Sequence, residues 1–288
     1  MIKSFYISTA ISYTNGSPHI GHAYEVIAAD AIARFKRLDG FDVFFLTGTD
    51  EHGLKVQQKA IELNLEPKKF VDNISMEFVE LTKILNCSND DFIRTTESRH
   101  LINVHQMWEV LSKNGDIYLD EYSGWYSIRD EAFYNEDELT KDEKDNFLSP
   151  TGAPVEWISE ESYFFRLSKY EKQLLEIYEE NKDFIKPKSR MNEITNFVSS
   201  GLKDISISRK NIKWGIPVKD NNEHSIYVWL DALINYISAL GWHEGNEKFK
   251  NFWPADIHLI GKDITRFHSV YWPAFLISAG LEIPKTIF

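Results

Sequence analysis

Two histidines on either side of a glycine are the residues whose types and spacing most clearly suggest chemistry. His19 and His22 stand three positions apart, with Gly21 between them. At the start of a helix this spacing places both imidazoles on one side, beside backbone N–H groups that have no partner within the helix. A helix N-terminus favours an anion, and two imidazoles would help to stabilise charge that develops on a phosphate. Gly21 has no side chain that would keep a nucleotide away from the backbone.

The elements around this motif favour a phosphate site over two simpler interpretations, a pair of surface histidines or half of a metal site. Residues 3–9 form a β-rich run that predicts a buried strand, and a turn-forming Asn-Gly-Ser-Pro cluster follows at 15–18. Residues 43–46 predict a second strand. Between the two strands, apolar residues recur every three or four positions and predict one face of a helix: Ile20, Tyr24, Ile27, Ala31, Phe35 and Leu38. The motif therefore lies where a strand passes into a helix.

The same alternation of strands and helices continues along the chain. Apolar spacing over 70–85 and 101–111 predicts two more helices, and residues 257–260 predict another strand. A last helix over 264–278 should be kinked at Pro273, because proline lacks a backbone N–H. Strands that alternate with helices in this way predict an α/β fold with a doubly wound parallel sheet.

The middle of the chain has a different pattern, which predicts a smaller α+β insertion. Short strands are expected at 117–119 and 124–128, where they would form a hairpin, and turns and two helices follow. The strand–helix pattern returns at residue 226. The predicted domain limits are 1–115 for the first half of the sheet domain, 116–225 for the insertion and 226–288 for the second half.

Composition excludes several classes of protein. The chain has 288 residues, 43% of them hydrophobic and 26% charged, which is typical of a globular protein of about two domains. Its net charge of −12 gives no broad basic face, and no apolar run is long enough to span a membrane. Cys87 is the only cysteine, so an internal disulfide is impossible. The first residues do not form a secretory signal. We therefore expect a cytoplasmic protein with no membrane contact.

The chain resembles the class I aminoacyl-tRNA synthetases, and most closely the methionyl-tRNA synthetase family. The resemblance extends in order over essentially the whole sequence, and it implies a Rossmann-like doubly wound sheet with an inserted connective-peptide domain. The segments that carry it are STAISYTNGSPHIGHAYE (8–25), FLTGTDEHG (45–53), WGIP (214–217), VWLDA (228–232) and GKDITRFH (261–268).

The resemblance implies that ATP, with Mg²⁺, activates L-methionine to methionyl-adenylate before transfer to tRNA(Met). His19 and His22 would be catalytic, and ATP would be bound by His19, Gly21, His22 and Glu25. Asp50 would lie near the adenosine or the tRNA terminus. The residues that would bind methionine are Ile11, Tyr13, Trp229, Ala232, Leu233, Tyr236, Asp263, Ile264, Phe267, His268 and Trp272.

Within this implied pocket, Asp263 would hold the ammonium group, with the backbone of Ile11 and the hydroxyl of Tyr236, and His268 would approach the thioether. An aromatic box with one carboxylate suits methionine, whose side chain is apolar and polarizable. Judged from the residues alone, the aromatic residues could equally be core, and Asp263 could be a helix N-cap.

Two departures from the family pattern affect these expectations. Where many relatives have paired cysteines for a zinc knuckle, Gly124-Trp125-Tyr126 precedes Ser127 and Asp130, which cannot replace two thiolates, so no zinc is predicted. Packing around Trp125, Tyr126 and Phe133 would hold the knuckle instead. The chain also has no Lys-Met-Ser-Lys-Ser loop, and residues 186–190 are only a superficial match on the wrong element. We therefore expect an N-terminal portion of a longer enzyme, weak or inactive alone.

Two alternatives remain open at this stage. One is a module or paralogue that binds methionine or ATP without performing chemistry. The other is a class I synthetase for another amino acid. The small insertion counts against the branched-chain enzymes, whose insertion carries a large editing domain, and the missing zinc ligands count against the cysteine enzyme.

Overall fold

Strands and helices alternate over most of the molecule. The structure, a computed structural model, describes residues 3–130, 132–142, 144–210 and 212–288. Its strands are β1 (Ser4–Thr9), β2 (Ser12–Tyr13), β3 (Asp42–Asp50), β4 (Asp91–Arg94), β5 (Ile117–Ser127), β6 (Ala132–Tyr134), β7 (Thr140–Lys141), β8 (Phe147–Leu148), β9 (Glu156–Phe165), β10 (Ile205–Ser206), β11 (Ser208–Arg209), β12 (Pro217–Val218), β13 (Asn221–Ile226) and β14 (Ile257–Leu259). Its helices are α1 (Ile20–Leu38), α2 (Leu54–Glu62), α3 (Pro67–Ile84), α4 (Ser98–Lys113), α5 (Glu171–Glu180), α6 (Lys188–Ser199), α7 (Val228–Leu233), α8 (Asn235–Ser238), α9 (Glu247–Phe252) and α10 (Trp272–Ser278). None of the helices within these ranges combines the length and the hydropathy needed to cross a bilayer.

A parallel sheet with β1 at its centre confirms the predicted doubly wound, Rossmann-like fold. On one side β1 pairs with β3, which pairs in turn with β4, and on the other side β1 pairs with β14. The first part of the chain thus builds one half of the sheet, and β14 opens the other half. Ligands of such sheets bind at the carboxyl ends of the strands, where the strand order reverses. Here that place is the junction of β1 and β14, directly before the two-residue strand β2.

Helix α1 has the predicted bounds, but its large apolar residues face solvent. Ile20 is 86% exposed and Leu38 is 89% exposed, and the other large residues of that face are exposed as well. The face that packs on the sheet consists mainly of small side chains, with Ala29 and Ala33 completely buried. Small residues allow the helix to approach β1 and β3 closely. The periodicity therefore predicted the helix but not its buried face.

Residues 117–128 do not form the predicted hairpin. They lie in one continuous strand, β5, which pairs antiparallel with β9 along its length, in a sheet of order β10-β9-β5-β6. Both apolar runs pair with the same partner strand, so no turn separates them. The limits 116 and 225 proposed for the insertion stay a prediction. Helices α5 and α6 share the main hydrophobic core with the first half of the chain, through buried residues such as Leu174 and Val198.

A carboxylate organises the segment that follows Trp125 and Tyr126. Asp130 accepts hydrogen bonds from Ser149 (2.5 Å), Thr151 (2.7 Å) and Tyr134 (3.1 Å). Burial alone would raise the pKa of Asp130, but these hydrogen bonds outweigh it and hold the pKa below its ordinary value. Of the predicted aromatic packing, the rings of Tyr126 and Phe133 are in contact, with centroids 4.7 Å apart, while Trp125 packs at 4.6 Å against Phe147. Across the described ranges, no three His, Cys, Asp or Glu side chains are grouped so that they could hold a metal ion.

Candidate active site at the carboxyl edge of the sheet

The two histidines of the motif cap helix α1 reciprocally. Nδ1 of His19, the N-cap residue, accepts from the backbone N–H of Gly21 at 3.1 Å, and Nδ1 of His22 accepts from the backbone N–H of His19 at 3.2 Å. The imidazoles stack with ring centroids 3.8 Å apart. A Cβ added at Gly21 would lie 2.9 Å from the ring of His19, so glycine is what allows this ring to fold back over the helix. The backbone N–H groups expected to be free are therefore occupied by imidazoles.

This capping arrangement fixes where the imidazole protons are. A nitrogen that accepts from a backbone N–H carries no proton, so Nε2 is the protonated nitrogen of each neutral ring. Burial, reinforced by the neighbouring His19, lowers the pKa of His22 to about 4, which keeps that ring neutral at pH 7. His22 thus presents an Nε2–H donor rather than a positive charge, and Nε2–H is also the donor of the neutral form of His19. Such donors suit phosphate oxygens on which charge develops.

Glu25 connects the histidine pair to the rest of the sheet edge. Its Oε1 accepts from the backbone N–H of Ala10, just after β1, at 2.9 Å. Burial raises the pKa of Glu25 to about 7, although the hydrogen bond from Ala10 opposes the rise. Ala10 also donates to the carbonyl of Leu259 in β14 at a distance of 3.0 Å. Ala10 therefore joins α1, β1 and β14.

Tyr236, His268 and Trp272 form the buried part of the predicted pocket. Tyr236 is 1% exposed, and Trp272 is completely buried. Nδ1 of His268 lies 3.0 Å from the carbonyl of Ile264, which can only accept, so this nitrogen carries the proton. Burial lowers the pKa of His268 to about 4, so Nε2 is unprotonated and accepts from the hydroxyl of Tyr236 at 2.7 Å. The Tyr236 oxygen consequently keeps its lone pairs for another donor, such as an ammonium group.

A change in helix geometry presents His268 to the pocket. The predicted helix over 264–278 follows a 3₁₀ turn at Lys262–Ile264, widens to a π turn at Phe267–Tyr271 and continues as an α-helix from Trp272. Pro273 cannot donate to the carbonyl of Ser269, and the Tyr178 hydroxyl donates to that carbonyl at 2.6 Å instead. The kink predicted at Pro273 stays a prediction, and π turns of the kind seen before it are frequent at functional sites.

The other predicted pocket residues lie on the segments that follow β1, β13 and β14. Trp229 and Phe267 stack face to face with centroids 3.7 Å apart, and both are partly exposed. Ile11 and Tyr13 follow β1 and pack against the same hydrophobic core. Three more lie on the adjoining elements, with Ala232 and Leu233 buried in α7 and Ile264 partly exposed after β14.

The two carboxylates of the predicted site differ in exposure. Asp263 lies in a short turn after β14, and its exposed carboxylate makes no hydrogen bond to the described residues. Asp50 is buried at the end of β3, opposite Tyr13 of β2, and its carbonyl accepts from the backbone N–H of Thr14 at 2.9 Å. Asp263 is thus open to a ligand from solvent, whereas Asp50 is enclosed at the end of β3.

Sequence reasoning overlooked a buried triad that holds the wall of the pocket. Asp231 accepts from Nδ1 of His52 and from Nε2 of His100, each at 2.7 Å. Burial would raise the pKa of Asp231, but the two imidazoles outweigh it and hold the pKa below its ordinary value. Asp231 is part of α7, between Trp229 and Ala232, so the triad anchors both to α4. Aspartate and histidine inside the recognised 45–53 and 228–232 segments were the signal that could have revealed it.

The comparisons with known proteins agree with this geometry. A family model for class I tRNA synthetases (M) matches residues 5–288. The chain belongs to the class I tRNA synthetases. The methionine–tRNA ligase of Rickettsia felis is 58% identical over 100% of this chain and 55% of its own length, and that of Mesorhizobium japonicum is 55% identical over 99% and 55%. This synthetase chain therefore spans about half the length of these curated relatives.

Solved structures of methionyl-tRNA synthetase are similar to this chain in fold and sequence. The Mycobacterium tuberculosis methionyl-tRNA synthetase in complex with methionyl-adenylate has a TM-score of 0.97 and 52% identity to this chain, over 100% of this chain and 57% of its own. The free state of that enzyme has a TM-score of 0.87 at 49% identity, over 100% and 56%. The chain is thus more similar in shape to the adenylate-bound form than to the free form.

Proposed function

We propose that this chain binds L-methionine and ATP and supplies the adenylate-forming site of a methionine–tRNA ligase. The observation that supports the proposal best is the hydrogen bond between Glu25 and Ala10, because it ties α1, which carries the histidine pair, to the β1–β14 junction. The names of the relatives support methionine and tRNA(Met) as substrates of the whole protein. The cytoplasmic location belongs to the same proposal.

In the proposed reaction a carboxylate oxygen of methionine attacks the α-phosphorus of ATP. A P–O bond forms to that phosphorus, the bond to the pyrophosphate oxygen breaks, and no proton has to be transferred. The chain positions the reactants, and the Nε2–H groups of His19 and His22 stabilise charge on the phosphoryl oxygens. Magnesium would arrive with ATP, because it binds phosphate oxygens and keeps much of its water shell.

The ammonium group of methionine would be held by Asp263, with the Tyr236 oxygen as a second acceptor. Asp263 is our choice because its carboxylate is exposed and makes no hydrogen bond to the described residues. Trp229 and Trp272 would enclose the thioether side chain. A pocket of this kind discriminates by only about 1–3 kcal/mol for each methylene, and leucine differs from methionine in its branching and its lack of sulfur, so leucine should bind more weakly than methionine.

Calorimetric titration of the chain with L-methionine, L-leucine and L-cysteine tests the proposal. We expect saturable binding of methionine and weaker binding of the other two. Equal binding of leucine or cysteine would overturn the choice of amino acid. Asp263→Asn should weaken methionine binding at least about tenfold, whereas an effect confined to Asp50→Asn would transfer the ammonium role to Asp50.

Methionine-dependent ATP–pyrophosphate exchange tests the chemical step. His19→Asn and His22→Asn should lower the exchange rate and leave the dissociation constant for methionine unchanged. If the chain binds methionine but shows no exchange, then it binds the amino acid without activating it. Loss of methionine binding in the two histidine variants would instead show that the histidines support the pocket rather than the phosphates.

A further inference from the structure

A histidine outside the recognised motifs lies beneath the aromatic pocket. His258 is completely buried in β14, and its backbone is held on both sides, opposite Ser8 of β1 and through hydrogen bonds with Thr286 and Phe288. Its ring stacks on that of Tyr236, with centroids 4.0 Å apart and planes 27° from parallel. A strand fixed by neighbours on both sides is a rigid support for a side chain.

The hydrogen bonds of His258 determine its tautomer. The indole N–H of Trp272 can only donate, and it lies 3.3 Å from Nε2, so Nε2 accepts. Nδ1 therefore carries the proton and donates to the hydroxyl of Ser8, 2.7 Å away. Burial, and then the neighbouring His268, holds the pKa of His258 well below its ordinary value, so the ring stays neutral.

We propose that His258 is a positioning residue for the methionine pocket, which fixes Trp272 by a hydrogen bond and Tyr236 by stacking, with Ser8 selecting its tautomer. Tyr236 is consequently held from two sides, because its hydroxyl donates to His268 and its ring rests on His258. The orientation of the Tyr236 oxygen, and the wall formed by Trp272, then depend on an imidazole that need not touch the ligand. This inference rests on the proposed function, in which that pocket holds methionine.

His258→Phe is the decisive variant. Phenylalanine can stack on Tyr236 but cannot accept from Trp272 or donate to Ser8. Titration at a temperature where the variant is folded should give a dissociation constant for methionine about tenfold higher, because a buried donor loses its partner and the indole is free to turn. The dissociation constant for ATP should not change. His258→Gln, whose amide can accept from Trp272, should recover part of the affinity.

Val43→Ala provides the matched control for a purely structural effect. Val43 is buried at the start of β3, in a hydrophobic cluster that contains none of the predicted pocket residues, and its truncation should lower stability without changing methionine affinity. If His258→Phe and wild type bind methionine equally well, the proposal is wrong. If Val43→Ala weakens binding as much as His258→Phe does, the effect is general destabilisation, and the proposal is again wrong.

A measurement without ligand separates this inference from the proposed function. In ¹⁵N-histidine NMR spectra, the signals that disappear in His258→Phe should report a neutral ring with the proton on Nδ1 between pH 5.5 and 7.5. If wild type failed to bind methionine, the proposed function would be wrong. The spectra would still test the hydrogen bonds of His258 to Ser8 and Trp272. A proton on Nε2, or a charged ring in that range, would overturn it.

Discussion

Replacing Glu25 with glutamine should make the protein more stable at alkaline pH. Glu25 accepts a hydrogen bond from Ala10 while its carboxyl is largely buried, and burial raises its pKa to about 7. Glutamine keeps an oxygen that can accept the same hydrogen bond, but it cannot ionise. Glu25→Gln therefore removes the charge and retains the connection between α1 and the end of β1.

The sign and size of the effect follow from linkage. The carboxyl has a pKa of about 4.5 in the unfolded chain and a pKa of about 7 in the folded protein. The stabilisation that comes from the protonated form is therefore complete below pH 4.5 and is lost as the pH rises through 7. The difference between the two pKa values corresponds to about 3 kcal/mol of unfolding free energy lost at pH 8. Solvent at the partly exposed edge weakens it, so we expect Glu25→Gln to gain about 1.5–3 kcal/mol at pH 8 and less than about 1 kcal/mol at pH 5.

Urea unfolding of both proteins at pH 5, 6, 7 and 8 measures this difference. Other titrating groups, such as His22 and His268, act on wild type and variant alike, so their contributions cancel in the comparison. Glu180→Gln, at an exposed position of α5, serves as the control and should show no trend with pH. A gain that is the same at every pH would show that Glu25 ionises normally in the folded state, and the argument from burial would be refuted.

Three further changes test other parts of the structure. Asp130→Ala should lower the unfolding free energy by about 2–4 kcal/mol, because Ser149 and Thr151 lose a charged acceptor, and differential scanning calorimetry would detect this as a lower Tm. Phe35→Gln on the exposed face of α1 should change the unfolding free energy in urea by less than about 0.5 kcal/mol, since the ring is 62% exposed. Gly48→Ala should cost about 3 kcal/mol or more in the same assay, because a Cβ there would lie 2.0 Å from the carbonyl oxygen of Ile93.

Periodicity and turn residues predicted several elements of the sheet domain but missed β2, α2 and β4. The helix after the first strand and the strand at β14 were both predicted, because each has an apolar pattern that few other structures produce. The buried face of α1 could not be obtained in this way. Side-chain size decided it, since Ala29 and Ala33 fit against the sheet where Phe35 would not.

Contacts between distant parts of the chain could not be predicted from the sequence. Recognised segments led to Tyr236, His268 and Trp272, but their mutual orientation depends on His258, which no segment singled out. In the same way, the packing expected around Tyr126 is present, whereas the role of Asp130 depends on serine and threonine hydroxyls about 20 positions away. A hydrogen bond across such a separation leaves no periodic pattern in the sequence.

The histidines of the site share a property that fits the proposed reaction. Burial is the main reason why His22, His258 and His268 are neutral, and each has one nitrogen fixed as an acceptor by a backbone, indole or phenol donor. Imidazoles held in this way act as oriented donors and acceptors rather than as proton carriers. Attack of a carboxylate on phosphorus transfers no proton, so such a site needs oriented dipoles and has no use for a general base. Glu25 is the exception, because its pKa of about 7 lets it change charge at physiological pH.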